Sequence, residues 1–60
     1  MEKERYETLR HDLTREVVRL LSIRCKLTAK ARIRKIAQLD YEQKGIDIEE
    51  TKRNFKYYEI

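Results

Sequence analysis

Sixty residues, 43% of them charged and with a formal net charge of +4, allow at most one small domain, residues 1–60. A lone cysteine, Cys25, rules out an internal disulfide and fits a reducing, cytoplasmic setting. No apolar run approaches the roughly 20 residues that span a bilayer, and charge from Glu2 onward argues against a secretory leader.

Helix is the regular structure that the punctuation allows. Proline is absent and Gly45 is the single glycine. Good helix formers fill the stretch before it, which predicts one long helix over about 3–42. Such a helix would be a rod of about 60 Å. A break near residues 22–28 is the alternative left open. Gly45 reads as the turn that ends the helix, with Lys44 favourable to its dipole. Asp47 then reads as an N-cap with Glu50 as its capping-box partner, opening a short helix over about 48–58.

The apolar residues of the long span form a stripe at three- and four-residue spacing: Tyr6, Leu9, Leu13, Val17, Leu20, Leu27 and Ala31. Ile33, Ile36 and Ala37 fall largely on the opposite side of a straight helix. Burial by several neighbours, or a bend that realigns the two faces, accounts for both. A short chain with 40% apolar residues has little core of its own. Further copies of the chain, or a larger assembly, are therefore expected to supply the missing burial, in a helical bundle or coiled coil with the stripe as interface. The short C-terminal helix is expected to fold back with Ile48, Phe55, Tyr58 and Ile60 over Ile36, Leu39 and Tyr41. Its acids Glu49 and Glu50 would then approach the basic middle of the long helix.

That basic middle is the strongest compositional signal. Between Glu16 and Asp40 there is no acid, yet Arg19, Arg24, Lys26, Lys30, Arg32, Arg34 and Lys35 all lie there. Concentrated charge of one sign calls for an anion: phosphate, a carboxylate ligand or the chain's own acidic ends. Arg19, Lys26, Lys30 and Arg34 fall along one edge of a continuous helix, as a rod following a phosphate backbone requires. No helix-turn-helix, zinc-finger or RNA-binding aromatic motif accompanies them. Arg10, Arg24 and Lys35 project instead toward the apolar stripe. A charge on that side must be paired, hydrated or bound to a ligand, because desolvating it alone costs several kcal/mol.

From Leu9-Arg10 through Leu20-Leu21-Ser22-Ile23-Arg24 to Leu27 and Lys35, the chain resembles the first helix of the all-helical chorismate mutases. The resemblance implies that Arg24 and Lys35 serve their own site and Arg10 a neighbouring subunit's, binding the carboxylates and ether oxygen of chorismate. Three residues are missing between Arg10 and Arg24 relative to the family, and the third helix with its glutamine is absent.

Other chemistry finds little footing. His11 and Cys25 are alone of their kinds, so no metal set can be assembled from them, and one glycine cannot build a phosphate loop. No cofactor is expected. The expected function is a non-enzymatic helical interaction module or accessory subunit, its basic surface meeting an acidic partner or nucleic acid. A chorismate-mutase-like anion site is the alternative.

Overall fold

The computed structural model describes residues 2–56, and every regular element among them is helical: α1 (Lys3–Ser22), α2 (Lys26–Lys44) and α3 (Ile48–Phe55). The single long helix over 3–42 is therefore corrected to two. Instead of a 60 Å rod, the chain is folded into 32 × 21 × 15 Å.

The break has a local cause. Ser22 Oγ donates to the Val18 carbonyl at 3.0 Å, so its side chain bonds back to the helix rather than forward. Cys25 N–H then donates to Leu20 O at 2.8 Å and Arg24 N–H to Leu21 O at 3.1 Å. This is the paired bonding of a Schellman cap, and it requires a left-handed residue at Arg24, whose φ is +62°. Glycine usually fills that place. Replacing Arg24 with glycine is expected to raise stability by roughly 0.5 kcal/mol, since relief of left-handed strain exceeds the added chain entropy. Urea denaturation showing instead a loss of that size would contradict the assignment of strain to this turn.

Gly45 behaves as expected, with φ +67° and its N–H donating to Tyr41 O at 3.0 Å. Asp47 caps α3, its Oδ1 accepting from Glu49 N–H at 3.1 Å. Glu49 and Glu50 in the first turn and Lys52 and Arg53 in the last complement the helix dipole.

The turn at Arg24 runs α1 antiparallel to α2, so that Tyr6 meets Asp40 and Glu16 meets Arg32. That reversal brings together faces that would diverge on a straight rod. Val17 of α1, Ile33 and Ile36 of α2, and Phe55 of α3 form one buried cluster, with Leu13 and Leu21 packed against it. Tyr6 and Val17 are thus buried against the chain's own helices, while Leu13 and Leu20 are half-buried. Leu9, Leu27 and Ala31, at the same stripe spacing, face solvent. Part of the burial expected from a partner is met within one chain.

The third helix does fold back on α2, bringing Phe55 into the cluster with Ile36, while Tyr41 stays 54% exposed. Tyr58 and Ile60, expected on its apolar side, lie outside the described residues.

Candidate functional site

Asp40 is the one buried acid among the described residues, 1% exposed, and all three helices converge on it. From α1, the Tyr6 hydroxyl donates to Oδ1 at 2.6 Å and Arg10 donates from Nε to Oδ1 at 2.9 Å and from Nη2 to Oδ2 at 3.2 Å. From α3, the Thr51 hydroxyl donates to Oδ2 at 3.1 Å. Lys44 stands over the Tyr6 ring, 5.4 Å from its centroid. Burial by itself pushes the Asp40 carboxyl up, but the bonds from Arg10, Tyr6 and Thr51 outweigh it and hold the group below its usual range. A carboxylate so fully engaged is a poor proton acceptor. Its chemistry is that of a clamp.

Arg10 was recognisable as an inward-facing cation in need of a partner, and Asp40 is that partner. Arg24 sits exposed in the turn between α1 and α2, and Lys35 is exposed on α2. The shallow cleft of about 430 Å³ beside Arg10 is walled by Tyr6, Thr14 and Lys44 and includes neither of them.

The second concentration of charge lies between α2 and α3. Lys30 and Arg34 of α2 face Lys52 of α3 and Lys56 at its C-cap across a cleft of about 260 Å³, with Ile33 lining it. The spacing of four residues on each helix puts each pair on one edge, about 6 Å apart along the axis. Lys26, one turn before Lys30, continues the α2 row. Lys52 lies 3.6 Å from Glu49 on its own helix, an exposed pair worth at most about 1 kcal/mol. Among the described residues Lys30, Arg34 and Lys56 have no ion-pair partner.

This arrangement changes the membership of the basic row. The helix break leaves Arg19 on α1, so the straight row from Arg19 to Arg34 is reduced to Lys26, Lys30 and Arg34 on one helix. Arg32 leaves the unpaired set because its Nε donates to Glu16 Oε1 at 2.8 Å. Glu49, expected to approach the basic middle, pairs with Lys52 instead. Far from neutralising the α2 cations, α3 and its C-cap add two more. Lys52 and Lys56 were missed in the sequence, although their four-residue spacing on a short amphipathic helix marks them as sharing an edge.

Compared with known proteins, the chain matches no family model, no curated protein and no solved structure.

Proposed function

We propose that the chain is a non-enzymatic helical interaction module or accessory subunit whose α2–α3 face holds the phosphate backbone of a nucleic acid. The observation that carries this reading is the convergence of Lys30, Arg34, Lys52 and Lys56 on one cleft. Like charges brought together repel, and among the described residues Lys52 with Glu49 is the one ion pair these four cations make. An external polyanion would offset that repulsion. The Lys26–Lys30–Arg34 row runs about 12 Å, a length over which one strand of a duplex presents three to four phosphates. Contacts of this type position a backbone and carry no base information, so the reading is of sequence-independent binding.

Replacing Lys30, Arg34, Lys52 and Lys56 together with glutamine is expected to weaken binding by about 100-fold or more at low salt, equally for unrelated sequences. The same protein should melt at an equal or slightly higher temperature without ligand, because the repulsion is gone. Fluorescence anisotropy with two labelled duplexes of different sequence, paired with a thermal melt, reads both effects. Unchanged affinity in the variant would end the proposal.

A further inference from the structure

The turn between α1 and α2 exposes apolar side chains that the basic cleft does not use. Leu27 is 85% exposed and Ile23 is 62% exposed, with Cys25 exposed between them. Around them stand Arg24 and Lys26 in the adjoining chain positions, Arg19 one turn before Ile23, and Lys30 three residues after Leu27. No acid occurs from residue 17 to residue 39. The result is an exposed apolar turn whose chain neighbours are a collar of cations.

We propose that this turn docks on an anionic lipid surface, with Ile23 and Leu27 entering the headgroup–acyl boundary and the four cations meeting the headgroups. The collar decides between possible occupants. A second copy would bring cation against cation, and two large side chains supply far less than the roughly 800 Å² per partner of a standard interface. A protein groove would have to be shaped for the turn, whereas a bilayer interface deforms around it. Apolar side chains flanked by Lys and Arg are the pattern of interfacial binding, each cation near an anionic leaflet contributing roughly fivefold in partitioning. No helix among the described residues is long and apolar enough to cross a membrane, so the attachment is peripheral. The proposal uses Ile23 and Leu27 and is independent of Lys52 and Lys56.

Vesicle sedimentation tests it, with phosphatidylcholine vesicles against vesicles that carry roughly 30% phosphatidylserine. The chain is expected to bind the second and not the first. Ile23→Ser with Leu27→Ser leaves the charge unchanged and alters exposed positions, so the helical melt should be retained while vesicle partitioning falls by about tenfold or more. Lys52→Gln with Lys56→Gln should retain most of the vesicle binding. Three results would overturn the proposal. One is equal binding by the serine variant, which leaves charge alone. Another is a wild-type dimer that the serine variant dissociates, which assigns the turn to a second copy. The third is binding to polyglutamate but not to vesicles, which assigns it to an acidic protein.

Discussion

Replacing Asp40 with alanine is expected to remove about 3 kcal/mol, enough to leave much of the chain unfolded at room temperature. A 60-residue domain has roughly 3–9 kcal/mol of stability in all. Asp40 accepts bonds from α1 and α3, so its loss removes the polar tie of each to this point of α2. Arg10 is 36% exposed and can turn to water, which moderates its share of the cost. The Tyr6 and Thr51 hydroxyls have no such route, since both residues are buried. Unsatisfied buried donors cost about 1–3 kcal/mol each. The methylene and carboxyl volume left empty adds to this. Asp40→Asn keeps one oxygen acceptor and should fall between wild type and alanine. Circular dichroism melts of the three proteins give the order, and an alanine variant as stable as wild type would sink the clamp reading.

The same network fixes a pH dependence. The folded Asp40 pKa lies below its unfolded value of about 3.9, so its stabilisation is complete above that pH and is lost as pH falls through the lower folded value. Tyr6 works at the other end. Burial, then the bond to Asp40 and its charge, push the phenol above its usual value of 10.0. Its contribution is therefore complete below about pH 10 and is lost as pH rises through the folded value. Melting temperature should hold a plateau between these limits, and Asp40→Ala should lose the step at each end that belongs to this network.

Phe55→Ala is expected to be of similar size. Phe55 is buried and carries α3 into the cluster with Val17, Ile33 and Ile36. Truncating a buried phenylalanine costs about 3–5 kcal/mol. An eight-residue helix does not persist without its docking site. Undocking would also carry Thr51 away from Asp40 and scatter Lys52 and Lys56 from the cleft. The melting temperature should fall by about 15 °C or more, at 4–8 °C per kcal/mol for a domain of this size. Phe55→Leu, which keeps most of the volume, should lose much less. A small change in the alanine variant would mean that α3 is held by something other than this side chain.

How far the fold could be read depended on whether its signals are local. Gly45 and Asp47 declare a helix end and a helix start by residue type alone, and both were legible. The Arg24 cap makes the same left-handed turn without glycine, so no residue type announced it. A break near residues 22–28 was left open, but the single helix was preferred, and that choice made the stripe from Tyr6 to Ala31 an interface for outside partners. Arg10 was legible as an inward charge, because a cation on an apolar face demands an anion. Asp40 was not, because in a chain with 43% charged residues one more acid near a helix end has no distinguishing mark. Its burial follows from three helices meeting, which is a tertiary fact. Lys30 and Arg34 were read as basic-surface residues from the charge block. Lys52 and Lys56 join them because α3 turns back with its cations, rather than its acids, toward α2.

The central claim is that the α2–α3 cleft neutralises phosphates, and the salt dependence of duplex binding tests it most directly. For each phosphate neutralised, the slope of log affinity against log salt steepens by about 0.9. If Lys30, Arg34, Lys52 and Lys56 each meet a phosphate, the wild-type slope should be steeper by up to about 3.6 than that of the protein with glutamine at all four positions. A wild-type slope indistinguishable from that of the variant, or no binding to duplex at low salt, would contradict the account.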